Sequence, residues 1–358
     1  MSQLKIATFN VEWMISIFGG VWKTWDGTIP TTFPGKNLGG IKLAPIQDVR
    51  GLCKRIAGVI EAVDPDILGI EEGPPLKAQM ELFVKRYLNN KYTVFQSNER
   101  RQSVFALVRK SLAHKTTHVP YTDTALKLLS GTFPYYPWLG YRKEDRKNHK
   151  FDRIPLVLKF KPSSHRELQV IVVHTKSKFS ELKTFQQWEN REKGPVLSAL
   201  DSRQKLSAEV GQLRKYITSQ LKQPDPHKGL VVMGDFNDGP FADLMEQEFL
   251  LYNIVDELVG SLLEPKSYLS HAMTPDVLSK AETVRFPDPL QHGMIVGEFI
   301  DHMLLSPSFI ESNPAFHLRP MSCQVETASY DQFNSDVNND NRGLRPSDHR
   351  PVSALIDY

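Results

Sequence analysis

The chain has 358 residues, of which 40% are hydrophobic and 24% charged, and 44 basic against 41 acidic side chains leave a net charge of +3. These values exclude a mostly disordered or collagen-like chain and a protein that coats nucleic acid by bulk charge, while leaving room for a local basic patch. Two cysteines, Cys53 and Cys323, make no disulfide framework and no zinc spacing.

No apolar run approaches the roughly 20 residues of a membrane span, and the first residues lack the pattern of an export signal. The chain therefore reads as cytoplasmic, although a mature secreted form would look the same. No obligate protein partner is evident.

In chain order, LKIATFN (4–10) predicts a strand, and a long polar stretch follows from about 15 to 45. Ile46, Val49, Leu52, Ile56, Val59, Ile60 and Val63 recur at three- and four-residue steps and predict a helix. ILGI (67–70), SVFALV (103–108), PLVLKF (155–160), LQVIVV (168–173), LVVM (230–233), FIDHMLL (299–305) and PVSALI (351–356) predict further strands. A helix is expected from about 195 to 221. Long connections fall at about 121–152, 266–298 and 325–347, and connections of that length are usually functional. Strands alternating with helices predict an α/β or α+β fold. No linker separates two regimes of composition, so residues 1–358 read as one domain with elaborated loops.

Polar residues stand repeatedly at the ends of these apolar strands: Asn10, Glu72, His174, Asp235 with Asn237, Asp301, and Asp348 with His349. Strand ends are where a rigid sheet makes reactive groups converge. Carboxylate and amide oxygens suit Mg²⁺, with Mn²⁺ as a substitute. The patterns of P-loop NTPases, dinucleotide-binding proteins, zinc peptidases and serine hydrolases are absent from the sequence. Taken singly, each residue also has an ordinary explanation, such as an Asx turn at Asp235 or a surface acid at Glu72.

The order ATFN, DILGIEE, VVHTKSK, VVMGDFND, FIDHMLLS, RPSDHRPV resembles the endonuclease/exonuclease/phosphatase superfamily, with its DNase I-like fold, over most of the chain. That resemblance implies a four-layer sandwich of two mixed β-sheets flanked by helices, and metal-dependent phosphodiester hydrolysis by an activated water. It implies Asn10, Glu72 and Asp348 on the metal side, with Glu71 standing where many members carry glutamine. It implies His174 and Asn237 on the phosphate, Asp235 orienting water, and Asp301 paired with a catalytic His349. Whether His349 is a base or a cationic clamp stays open. Arg153, in FDRIPL, and Lys176 and Lys178, in HTKSK, are expected on the substrate.

YRKEDRKNHK (141–150) carries five basic and two acidic residues beside the aromatic run FPYYPWLGY (133–141). Together they suit a phosphate backbone with stacked bases, or a self-packed loop. Trp13 to Trp25 suits a groove wall or a core edge equally. His302 follows Asp301 and, by strand alternation, should face away from the site. Nucleic acid is the expected substrate. A small or lipid phosphate (inositol phosphate, nucleotide, sphingomyelin) and an inactive scaffold of the same fold are the alternatives.

Overall fold

The computed structural model describes residues 2–178, 181–223, 225–310, 314–336 and 341–358. Thirteen strands of the described residues build two sheets: β1 (Gln3–Asn10), β2 (Ile67–Gly73), β3 (Tyr92–Gln96), β4 (Ser103–Arg109), β5 (Thr116–His118), β6 (Leu156–Ser163), β7 (Arg166–His174), β8 (Lys228–Asp235), β9 (Ser270–His271), β10 (Asp301–Leu305), β11 (His317–Leu318), β12 (Gln324–Val325) and β13 (Val352–Asp357). The first sheet has the order β11-β13-β1-β2-β4-β3, with β12 also on β13; the second has the order β9-β10-β8-β7-β6-β5. Each is mixed: β1 runs parallel to β2 and β7 parallel to β8, while most other pairs are antiparallel.

Period-two alternation sorts each strand between two cores. Leu4 and Ile6 of β1, Val170 and Val172 of β7, Val231 and Met233 of β8, and Val352, Ala354 and Ile356 of β13 fill the gap between the sheets. Ala7, Phe9, Leu68 and Ile70 turn outward against helices α1 (Val49–Val63) and α2 (Lys77–Tyr87). On the other side of the molecule, Ile171, Val173, Leu230 and Val232 turn outward against the long helix α3 (Lys193–Leu221). The result is the expected helix–sheet–sheet–helix sandwich. Gly69 allows the close approach of the sheets, since a Cβ there would stand 2.7 Å from Val172 Cγ1.

Several boundaries move for local reasons. Helix α1 starts at Val49, not Ile46, because Asp48 caps it by accepting from Gly51 N at 2.8 Å. Ile46 is instead paired with Phe33 in an isolated bridge. The strand expected from Phe299 starts at Asp301, because Ile300 gives its carbonyl to Phe236 N and its amide to Thr283 Oγ1. Strands β3 and β5 and helix α2 were not among the expected elements.

The long connections are not structureless. Lys36–Leu38 pairs with Ile41–Leu43, Phe133–Tyr135 with Lys147–His149, and Val284–Pro287 with Ile295–Glu298, each as a hairpin. A satellite core of Leu182, Trp188, Leu200, Met245 and Leu290 binds several of these excursions together. Among the described residues, no helix is long and apolar enough to cross a membrane.

Candidate active site

Three neighbouring strands deliver three polar side chains at one level. His174 of β7 is in register with Asp235 of β8, and Asp235 with Asp301 of β10. Residues paired across adjacent strands face the same side. Two positions inward, Val172, Met233 and Met303 lie in the inter-sheet core, so all three polar groups point into the mouth of the same gap. From the opposite sheet, Asn10 and Glu71 are in register on β1 and β2 and face the same gap. Asn10 Nδ2 donates to Asp235 Oδ2 at 2.9 Å and so joins the sheets.

Gly234 makes the GDFND turn possible: its φ is +140°, and a Cβ would stand 1.9 Å from the Val173 carbonyl. Asn237 follows in the left-handed region (φ 53°). Its amide N–H donates to Asp235 Oδ1 at 2.7 Å and its Nδ2 to the Thr175 carbonyl at 3.0 Å. Glu72 has φ 55° within a bulge of β2 against β4. The bulge separates the two consecutive glutamates. Glu71 is fully buried and accepts from Thr8 Oγ1 at 2.7 Å, whereas half-buried Glu72 turns to accept from Trp13 N at 2.7 Å.

The SDH segment hangs on the end of β1. Ser347 Oγ donates to the Asn10 carbonyl at 2.6 Å and accepts from His349 N at 3.1 Å. Arg342 donates to the Val11 carbonyl at 2.9 Å, and Arg345 grips Glu12 through two bonds of 2.9 and 2.6 Å. His349 Nδ1 lies 2.8 Å from Asp301 Oδ2, and His349 Nε2 lies 3.9 Å from Asp348 Oδ1. Asp348, with a third of its side chain exposed, faces solvent beside Glu72.

Electrostatics divides the two histidines. Burial holds His174 well below the usual histidine range, helped by the positive charges of Arg153 and His349, so it is neutral. Its Nε2 is 3.5 Å from Asp235 Oδ2, and its buried Nδ1 has no protein partner among the described residues. Burial would also lower His349, but the charge and hydrogen bond of Asp301, with Asp348 and Asp235, raise it well above that range. The site thus pairs a neutral histidine with an imidazolium. Burial, with Asp301 adding, pushes Asp235 up to about 6 against the opposing pull of His349. Burial and the like charge of Asp348 push Glu72 up to about 7.

These observations test the fit of a divalent cation. Glu72 and Asp348 repel one another strongly enough to raise Glu72 despite the Trp13 N–H and the charge of His349, and a hard cation between them would relieve that repulsion. Asn10 Oδ1 accepts from Glu12 N at 3.0 Å and has a second lone pair. Ligand atoms of Asp235, Asp301 and His349 also lie within 4.8 Å of one another, but there the imidazolium already provides the positive charge. The other compact acidic group, Asp238, Asp243 and Glu246, is filled by Lys178 and Arg203.

Two of the residues expected on the substrate are engaged inside the protein. Lys178 is buried, 3.1 Å from Asp238, 2.9 Å from Asp243 and 3.7 Å from Glu298. Arg153 spends its guanidinium on the His174 carbonyl (3.2 Å), the Thr175 carbonyl (2.5 Å) and Gln102 Oε1 (2.7 Å). Lys176 is half-buried, and its backbone N–H donates to Glu209 Oε2 at 2.8 Å. His302 faces the outer side of its sheet, bonded to the Asp238 carbonyl and to His271. Gln102, Ser347 and Arg345 were not singled out from the sequence, although the last two stand inside the RPSDHRPV segment.

No known family profile matches the chain, and no curated protein matches it. Among solved structures it is similar to an endonuclease/exonuclease/phosphatase from Bacteroides vulgatus, at 13% identity and a TM-score of 0.49 over 100% of this chain and 99% of that one. It is also similar to D. rerio TDP2 complexed with single strand DNA product, at 14% identity and a TM-score of 0.47 over 100% of both chains. The human Nocturnin catalytic domain with bound sulfate is similar at 13% identity and a TM-score of 0.45, over 99% of this chain and 94% of that one. Likenesses at these identities concern the fold.

Proposed function

We propose that this chain hydrolyses phosphodiester bonds in nucleic acid, using Mg²⁺ or Mn²⁺ and an activated water. The observation that carries this reading is the convergence of His174, Asp235, Asp301 and His349 at one mouth between the sheets, beside the Glu72 and Asp348 carboxylates. In-line hydrolysis needs an aligned water, relief of the phosphorane's negative charge and a stabilised leaving oxygen.

Asp235 is suited to hold the water and take its proton. Its orientation is set by Asn10 and by the Asn237 N–H, and a carboxylate near 6 is ionised at neutral pH yet basic enough to accept. The imidazolium of His349, locked by Asp301, suits a cationic clamp on a non-bridging phosphate oxygen; this favours the clamp over the base. Neutral His174 adds a hydrogen-bonding nitrogen next to Asp235 without a competing charge. Glu72 and Asp348, together with the side-chain Oδ1 of Asn10, would hold the cation, whose chemistry when bound is to polarise the phosphoryl group and offset its charge.

A polymer substrate is supported by the hairpin 133–149. Its tip exposes Tyr136 (44%), Leu139 (75%) and Tyr141 (79%) beside exposed Lys143, Arg146 and Lys147. Basic groups interleaved with aromatics suit a phosphate backbone with stacked bases. The hairpin is tied to the end of β7, because His149 Nε2 lies 2.8 Å from Glu209 Oε1 and Lys176 N donates to the other oxygen of Glu209.

The test is cleavage of supercoiled plasmid, linear duplex, single-stranded DNA and RNA, with Mg²⁺, with Mn²⁺ and with chelator. Metal-dependent cleavage that is lost in Glu72→Gln is expected. A folded protein that cleaves no polymer but releases phosphate from inositol phosphates or nucleotides, or phosphocholine from sphingomyelin, would replace the nuclease reading.

A further inference from the structure

His302 follows Asp301 on β10 and is fully buried on the face of the sheet turned away from the site. Its imidazole holds both chain neighbours of Asn237. The ring stacks on Phe236, with centroids 4.9 Å apart and planes at 25°, and its Nε2 lies 2.8 Å from the Asp238 carbonyl. The Asp238 carboxylate is held separately, by Lys178 and Arg203. Asn237 is thus bracketed from behind while its own N–H faces Asp235 Oδ1 at 2.7 Å.

A short chain of hydrogen bonds fixes the polarity of that imidazole. Met273 N donates to His271 Nδ1 at 3.2 Å, so the proton of neutral His271 sits on Nε2. That Nε2 lies 3.1 Å from His302 Nδ1, which therefore accepts. The proton of His302 is left on Nε2, facing a carbonyl that can only accept. The two ends of the chain, a backbone N–H and a backbone C=O, require the same tautomers. Burial pushes His271 down to about 3 and His302 down to about 4, so both are neutral at neutral pH. Strand pairing supplies the contact: His271 of β9 stands opposite Leu304, which shares a face of β10 with His302.

We infer that His302 is a positioning residue, oriented by His271, that holds Asn237 in its left-handed conformation and so aims the Asp235 carboxylate from behind the sheet. The inference rests on the proposed role of Asp235. A residue other than glycine keeps a φ of 53° where its surroundings over-determine it, and here both of its neighbours are fixed by one ring. Histidine suits this task because it offers an apolar face to Phe236, a donor to Asp238 and an acceptor to His271 at once. Phenylalanine supplies only the face, and glutamine only the donor and the acceptor.

The experiment follows cleavage of a quenched fluorescent DNA oligonucleotide with Mn²⁺ by the full chain, together with nitrogen NMR of the imidazoles. The variants are His302→Phe, His302→Gln, His271→Met, the double variant of His302→Phe with His271→Met, and Asp235→Asn as control. In the wild type both His271 and His302 should carry hydrogen on Nε2. His302→Phe, which keeps the stack on Phe236, is expected to lower kcat by about tenfold or more with KM within about twofold. His302→Gln should recover most of that loss. His271→Met should leave His302 in mixed tautomers and lower kcat, and the double variant should match His302→Phe alone, since both act through one contact. Hydrogen on Nδ1 of His302 in the wild type, unchanged kcat in His302→Phe, or additive losses in the double variant overturn the inference. Wild-type turnover in Asp235→Asn instead overturns the reading of Asp235 on which it rests. Should His302→Phe lose its near-ultraviolet circular dichroism, the wild-type tautomers and His271→Met carry the same test, because His271 is only half-buried.

Discussion

His349 Nδ1 and Asp301 Oδ2 are 2.8 Å apart, and both side chains are almost entirely withdrawn from water. A strand in register with Asp235 supplies the carboxylate, and a loop suspended from the first strand by Ser347 supplies the imidazole. Their pairing is a contact between segments 48 residues apart. It gives the site a positive charge that burial alone would have removed.

Asp301→Asn should expose that dependence. Loss of the carboxylate charge lets the pKa of His349 fall, so the imidazolium is lost at lower pH. Turnover at neutral pH is expected to drop by about 10²–10⁴-fold, and the alkaline limb of the pH–kcat profile should move to lower pH. An alkaline limb that stays in place would assign it to a group other than His349.

Without metal, Glu72 penalises the fold. Its pKa rises from the ordinary glutamate value of 4.5 to about 7, so between those values the folded state holds a proton that the unfolded chain has released. Stability from this group therefore falls as pH rises through that window. In chelator, the thermal midpoint of the wild type relative to Glu72→Gln should decline from about pH 4.5 to 7. Saturating Mg²⁺ should reverse the decline, because a ligand that binds the folded state stabilises it. A difference that is flat with pH and indifferent to Mg²⁺ would remove Glu72 from the cation site.

Lys178→Met should act on stability and not on substrate. The ammonium faces Asp238, Asp243 and Glu298 in a buried network. Removing one partner of such a network costs about 3–5 kcal/mol. Urea unfolding should register that loss while KM for the folded enzyme is unchanged. A large rise in KM with unaltered stability would return Lys178 to the substrate.

Neutralising Lys143, Arg146 and Lys147 together should weaken polymer binding and flatten its salt dependence. Three phosphate contacts correspond to a change of about 2–3 in the slope of log K against log salt. None of the three side chains is buried in the core, so folding should be unaffected. An unaltered slope would make this hairpin a solvated feature of the surface.

Much of this molecule was readable in one dimension. Apolar runs mark the strands that carry His174 and Asp235, because both of their faces are buried, and the three- and four-residue recurrence marks α1, because burial of one face imposes that period. Helix α2 was not read because only Met80, Phe83 and Val84 of KAQMELFVKRY are buried apolar residues, too few to mark a period. The hairpins at 133–149 and 284–298 went unread because Trp138 and Leu290 anchor them to the satellite core and their own pattern is weak.

Site residues at strand ends were visible for a related reason: an ionisable residue closing an apolar run contradicts simple burial. Gln102 offered no such signal, since a glutamine in a polar loop contradicts nothing.

The sequence by itself determined the alternation of strands and helices and the polar groups that terminate the strands. These are local properties, written in side-chain periodicity and in turn residues such as Gly234. Only the tertiary structure decided which charges are available to a substrate. Lys176 and Lys178 stand two apart in one HTKSK segment, yet Lys178 is enclosed by acids from segments 60 to 120 residues away. Long flexible side chains take their role from whatever the fold brings within reach, and by the same logic the guanidinium of Arg153 is engaged by the carbonyls of His174 and Thr175 and by Gln102.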